Sequence, residues 1–373
     1  MTKELQLVKY YEFIRYAMTP DEQSLPDLRR VDWHKFYQFA CEQAIVGIVF
    51  EGVRRLGEKG LKPPFNLLIE LIGLAEQIAV QNKILNKKCV EIVREYQNAG
   101  FQCCVLKGQG NATMYPNPHR RMPGDIDLLV MPANGGCKTD DVRRNVIQYV
   151  KEKHPDNMKV RYYHVSYQDK RIEVEAHFMP NIMNNPFYYH RLQKWYNKRQ
   201  SEHCQNRVEL PDGVGTIPIP TVEFNIIFQL AHMMHHFFDE GIGLRQFVDY
   251  YYLLNNKKKL EEVKGQYLDL QSTLRYLGLL KFARAVMYVM KEVFAMDEKY
   301  MITTVDEQRG KTLMVEILKG GNFGQHSGLT NRSMGSKYFA KTLRNMQLVR
   351  EYPVEALCEP IFRTWHFFWR LSY

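Results

Sequence analysis

The chain has no run of about 18 or more consecutive apolar residues, so no transmembrane helix is expected. Its first residues, MTKELQLVKYYEF, lack the apolar centre of a secretory signal, which points to a cytoplasmic location. The seven cysteines (Cys41, Cys89, Cys103, Cys104, Cys137, Cys204 and Cys358) are odd in number, and none is spaced as C-x-x-C. That disfavours a disulfide framework or a structural zinc site and favours reduced thiols. Basic residues are not gathered into blocks, and no internal repeat is present. What remains is ordinary for a globular protein: 373 residues, 45% hydrophobic and 25% charged, enough for two or three structural units. The net charge of +10 favours anionic partners such as nucleotides, nucleic acids or phosphorylated sugars. Its dispersal along the chain weighs against nucleic acid.

Residues 1–100 read as helical. DWHKFYQFACEQAIVGIVFEGVRRL carries apolar residues three and four apart, with Asp32 placed to cap it. A second helix is expected over 66–98, after the breaker Lys62-Pro63-Pro64 and stopped by Gly100. The pattern then changes. FQCCVL (101–106) and IDLLVM (126–131) read as buried strands, and DDVRRNVIQYVKEK (140–153) as an amphipathic helix. VRYYHVSY (160–167) and RIEVEAHF (171–178) read as strands flanking a hairpin loop at Gln168-Asp169-Lys170. Residues 181–220 look irregular, ending where Thr221 caps a helical region that runs to about 295. The stretch GGNFGQHSGLTNRSMGS from 320 reads as a loop, and VEALCEPIFRTWHFFWRLSY as a packed terminal helix. The expected fold is therefore α/β (α+β). A small mixed-sheet core at 101–180 is flanked by an N-terminal helical region (1–100) and a mainly helical C-terminal region (181–373).

The segment LKGQGNATMYPNPHRRMPGDIDLLV, residues 106–130, holds the strongest chemical signal. In a strand, alternate side chains share a face. Asp125 and Asp127 then point one way and Ile126 and Leu128 point into the core. Two adjacent carboxylates repel unless a proton or a cation lies between them. On RIEVEAHF the same alternation puts Glu173, Glu175 and His177 opposite Ile172, Val174 and Ala176. If the two strands are neighbours, a third carboxylate joins the pair, giving the oxygen-rich set that Mg²⁺ shares with substrate phosphates. Two such ions could hold the attacking and leaving oxygens of an in-line displacement.

LKG…YP…R…GDIDLLV followed by VEAHF resembles the uncharacterised nucleotidyltransferase family of the DNA polymerase β-like superfamily. The flanks DWHKFYQFACEQAIVGIVFEGV, GIGLRQFVDYYYLL and GNFGQHS resemble its Bacteroidetes-type members, so the likeness extends in patches over nearly the whole chain. It implies a nucleotidyltransferase core that moves an NMP from an NTP to an acceptor and releases pyrophosphate. Asp125, Asp127 and Glu175 would be the catalytic and metal-binding acids, with Glu173 competing for the third place, and two Mg²⁺ ions, or Mn²⁺, as cofactors. Lys107, Gly108, Gly110 and Arg121 would meet the nucleotide. The turn departs from the superfamily's usual Gly-Ser or Gly-Gly. A saccharide or other small molecule is the preferred acceptor. The other classes are an inactive nucleotide-binding interaction module and an RNA- or protein-modifying transferase of toxin–antitoxin type.

Further polar residues cluster downstream. His232, His235 and His236 lie at i, i+3 and i+4 in AHMMHHFFDEG. Without the glutamate of H-E-x-x-H, hydrogen bonding to substrate or packing beneath the site is expected rather than zinc. Arg245 and Asp249, four apart, are expected to pair. His177, His232, His236 and Arg245 are thus candidates to line the acceptor side or to support the site. Nothing in the pattern sets the oligomeric state.

Overall fold

A computed structural model describes residues 3–20, 24–132, 139–198, 205–256, 267–322 and 334–371. It opens with helices α1 (Lys3–Met18), α2 (Trp33–Glu42), α3 (Val46–Glu58) and α4 (Phe65–Asn98). The Asp32 carboxylate accepts from the Lys35 amide and caps α2. Helix α4 starts directly after Pro63-Pro64 and stops before Gly100, whose φ of 84° no β-carbon would favour. Strand β1 (Phe101–Leu106) leads into the short helix α5 (Gly108–Ala112), a 3₁₀ turn at Pro118–Arg120 and strand β2 (Ile126–Pro132). Helix α6 (Thr139–Lys153) and strands β3 (Met158–Val160), β4 (His164–Asp169) and β5 (Ile172–His177) complete the sheet.

The sheet order is β1-β2-β5-β4-β3. Neighbours are antiparallel except β2 and β5, which are parallel and set Asp127 opposite Glu175. This is the neighbour relation that the carboxylate set requires. The strand expected over 160–167 is broken at Arg161-Tyr162-Tyr163, where the Arg161 amide donates to the His164 carbonyl at 2.8 Å. The hairpin is tighter than expected. Asp169 pairs with Ile172, leaving Lys170 (φ 58°) and Arg171 in the turn.

The segment 181–220, expected to be irregular, contains helix α7 (Pro186–Asn197) and a separate hairpin of β6 (Arg207–Leu210) and β7 (Gly215–Pro218). Pro186 sits in the first turn of α7, where its missing N–H costs nothing, and the Asn185 side chain accepts from the amides of Phe187 and Tyr188. Helices α8 (Val222–Asp239), α9 (Leu244–Asn255), α10 (Tyr267–Tyr276), α11 (Leu280–Phe294) and α12 (Glu307–Gly320) follow. Then come α13 (Met334–Gln347) and α14 (Pro353–Arg370). Most of the loop expected from 320 lies outside the described residues, and its last residues open α13. Helix α14 packs through Ala356 and Glu359, whereas Ile361, Phe368 and Leu371 stay largely exposed, so the terminal helix is only half covered. No described helix is long and apolar enough to cross a membrane.

Two hydrophobic clusters sandwich the sheet. Ile126, Leu128, Val130, Val165, Val174 and Ala176 face the second half of α4 (Leu85, Cys89, Ile92, Val93) and α6 (Val142, Val146, Val150). Cys104, Leu106, Leu129 and Met131, on the other face, join a larger core shared by α1–α3, the first half of α4 and the helices from α8 onward. The alternation of each strand thus sends apolar residues to one side and leaves the Asp127–Glu175 row on the side covered by α8.

Candidate active site

The loop before Asp125 is fixed from several sides. The Asn82 amide on α4 donates to the carbonyls of His119 and Arg121 at 3.0 and 2.8 Å. Arg120 reaches Glu51 and Glu76. Gly47 on α3 meets the loop backbone so closely that a β-carbon there would stand 2.0 Å from the Arg120 carbonyl oxygen. Arg121 is buried, and its Nε and Nη2 each donate at 2.8 Å to Asp249 on α9, which also accepts from Tyr115 Oη at 2.6 Å. A guanidinium held this way by a carboxylate anchors the loop. Arg121, expected to meet the nucleotide, lines the cavity described next with its fork engaged by Asp249. The same fork takes the Asp249 oxygens that the i, i+4 spacing assigns to Arg245. Arg245 donates to the Pro123 carbonyl at 3.3 Å and lies against Gly124, just before Asp125.

At the end of this loop a cavity of about 220 Å³ opens between the sheet and α8. Asp125, Asp127, Glu175, Lys107, Gly108, His177, His232, His236 and Arg245 all line it. Carboxylate oxygens of Asp125, Asp127 and Glu175 lie within 4.8 Å of one another. Glu173 points from the same face of β5 but is exposed and lies outside the cavity, so the geometry selects Glu175. Gly110 is buried and faces Ile219 rather than the cavity. Its lack of a side chain serves packing. The sequence did not single out His164, Arg161 or Glu240, which also line the cavity, as does Tyr163 of the 162–163 tyrosine pair. For His164 the signal was the alternation of His164 and Ser166 with apolar Val165 and Tyr167.

The charges are densely coupled. Lys107, in a left-handed backbone conformation (φ 49°), places Nζ 3.1 Å from Asp127 Oδ2 and 3.0 Å from His232 Nε2. His177 Nε2 lies 3.0 Å from Asp127 Oδ1 and 3.2 Å from Glu175 Oε2. Burial and the neighbouring Asp127 push the Asp125 carboxyl up to about 6. Burial acts the same way on Asp127, but Lys107 and His177 prevail and hold it well below the usual carboxylate range. Burial opposes charge on His177, yet its bonds to Asp127 and Glu175 raise it to about 9. Burial, with Lys107 nearby, keeps His232 neutral, and burial lowers His235 to about 3. The three carboxylates meet at one point of this cavity, and Asp125, the one without a close cationic partner, is the one that burial and Asp127 push up. The all-oxygen donor set suits Mg²⁺ or Mn²⁺.

No curated protein matches the chain. Among solved structures, an antigenic nucleotidyltransferase-like protein from Paracoccidioides brasiliensis matches with 12% identity and a TM-score of 0.29, covering 52% of this chain and 92% of that one. The model of the family described as uncharacterised nucleotidyltransferase matches residues 29–295, most of the chain and all of the sheet, and the chain belongs to that family.

Proposed function

We propose that the protein transfers an NMP from an NTP to a small acceptor in a divalent-metal-dependent reaction that releases pyrophosphate. The observation that carries this reading is the meeting of Asp125, Asp127 and Glu175 within 4.8 Å across the parallel β2–β5 pair. Divalent cations held by these acids would neutralise the charge that develops on the transferred phosphoryl group and sharpen the acceptor as a nucleophile. Asp125, Asp127 and Glu175 would hold the divalent cation, and Glu175, on the β4 side of the set, would help take the acceptor's proton. Lys107, now on Asp127, is within reach of the phosphates as a mobile point charge. Arg121 and Asp249 hold the 115–125 loop so that Asp125 stays in place. His232 and His236, linked at 3.0 Å, keep Lys107 aimed at the cavity.

A second, larger cavity of about 590 Å³ shares Arg161 and Asp239 with the first and is lined by Tyr338, Arg363, Phe367 and Phe368. Its aromatic and cationic walls suit a saccharide or other small polar acceptor entering beside the nucleotide. The test is incubation with α-labelled NTPs and Mg²⁺ in the presence of metabolite, RNA and protein fractions. Label in the metabolite fraction, lost in Asp125→Asn/Asp127→Asn, supports the proposal. Label in RNA or protein would reassign the acceptor. Pyrophosphate release that persists in the double variant would refute the acidic site.

A further inference from the structure

Next to the carboxylates stands a second donor set of different chemistry. His164 on β4 and His177 on β5 are opposite one another in the sheet, with ring centroids 4.9 Å apart, and share Glu175 between them. His164 Nε2 is 3.5 Å from Glu175 Oε1 and His177 Nε2 is 3.2 Å from Glu175 Oε2. One ligand atom from each of the three residues falls within a 4.8 Å group. Neighbouring ligands on an ion bonded at about 2.1 Å stand about 3.0–3.4 Å apart, so little movement is needed to close on one.

The state of His164 points to a ligand. Its ring is 2% exposed, Nδ1 has no hydrogen-bond partner, and Nε2 has only the long 3.5 Å approach of Glu175 Oε1. Buried polar atoms left unsatisfied are rare and costly, and an ion is one of the few things that explains them. His164 faces the cavity, with Tyr163 against one edge and His177 across it.

We propose that His164, His177 and Glu175 form a transition-metal site, one that takes Mn²⁺ in preference to Mg²⁺, beside the all-oxygen site of Asp125 and Asp127. Two imidazoles and one carboxylate are the donors that first-row transition ions take up and that Mg²⁺ does not. Glu175 bridges the two positions, so this inference rests on the nucleotidyl-transfer reading for the role of the bridging acid, but not for the histidine ligands. The chain would then carry two unlike ions: a hard one held by aspartates towards Lys107, and a nitrogen-bound one on the β4 side, towards Arg161 and the larger cavity.

The test is metal binding by the full-length, metal-stripped protein, followed by pulsed EPR of bound Mn²⁺. Histidine labelled with ¹⁵N identifies any coupled nitrogen. Hyperfine coupling to histidine nitrogen in the unmodified protein is the expected result. Its amplitude should fall in His164→Gln, with Mn²⁺ affinity lowered about 10- to 100-fold. Mn²⁺ bound with no nitrogen coupling, or no Mn²⁺ binding at all, would overturn the proposal without needing any variant to fold. Asp125→Asn separates the two sites. Persistence of the nitrogen signal there supports two positions, and its disappearance leaves one carboxylate-centred site and overturns the histidine site. Transfer activity in Mg²⁺ alone reports on the nucleotidyl-transfer reading independently of either outcome.

Discussion

Two buried charged clusters meet at the wall of one cavity, and they are built differently. In the first, Asp249 receives the Arg121 fork and the Tyr115 hydroxyl at 2.6–2.8 Å, and its carboxyl is held below the usual range: burial alone would raise it, but Arg121 outweighs that. Charge and hydrogen bonds are closed within the protein. In the second, Asp125, Asp127 and Glu175 share Lys107 and His177 at close range, Asp125 is pushed up to about 6, and His164 Nε2 has only Glu175 Oε1 at 3.5 Å. A buried ion pair that satisfies itself anchors a loop. A buried set that does not satisfy itself is waiting for something from outside. The contrast separates positioning residues from reacting ones even though all of them line the same space.

The largest expected effect falls on the open cluster. Asp125→Asn/Asp127→Asn should lower nucleotidyl transfer by about 10³-fold or more, since the transition-state charge loses its metal ligands. Stability should change in opposite directions at the two positions: Asp125→Asn alone removes a repelled carboxylate and should hold or raise the melting temperature, whereas Asp127→Asn removes the partner of Lys107 and His177 and should lower it. The closed cluster should behave in the opposite way. Asp249→Ala leaves a buried guanidinium unpaired and should cost about 3–5 kcal/mol, read as a drop in the urea midpoint. A midpoint unchanged by Asp249→Ala would erase the distinction.

Glu355 on α14 tests whether burial alone suffices to perturb a carboxyl far from any chemistry. Burial raises it to about 7 from an ordinary 4.5, against the opposing pull of backbone amides at Asn184 and Asn185. The folded state then holds a proton that the unfolded chain has released, so stability falls as pH rises from about 4.5 to 7 and is level above. Glu355→Gln should remove that slope, which is on the order of 3 kcal/mol, in denaturation curves taken at pH 4.5 and 8. Gly110→Ala would set a methyl group 2.8 Å from Ile219 Cγ2 and should cost about 1–3 kcal/mol with KM for the NTP unchanged. A raised KM with full stability would return Gly110 to the nucleotide. The smallest effect is expected at the exposed acid: Glu173→Gln should change the rate by less than about twofold, while Glu175→Gln falls with the aspartates.

Much of this was legible because strand alternation is a two-residue code. FQCCVL, IDLLVM and RIEVEAHF appear as strands β1, β2 and β5 with their ends within a residue or two of expectation, and α4 lies between the predicted breakers. The third acid could be named because β5 carries its polar residues on one face. What was not legible depends on contacts distant in sequence. The pairing of Arg121 with Asp249, 128 residues away, could not be read because nothing near either residue reveals it. His164 was hidden because its value comes only from the pairing of β4 with β5. Helix α7 was missed in a stretch read as irregular, where Pro186 occupies a first-turn position that a helix tolerates.

The parallel register of β2 with β5 has a further consequence. Asp127 opposes Glu175, and Ile126 and Leu128 oppose Val174 and Ala176 in the same ladder. A slip of one residue in either strand would swing a carboxylate into the apolar layer against α4 and α6, and a valine or leucine into the cavity. The spacing that assembles the acids is therefore proofread by the oily side of the sheet: a misaligned copy loses its stability along with its cluster of acids.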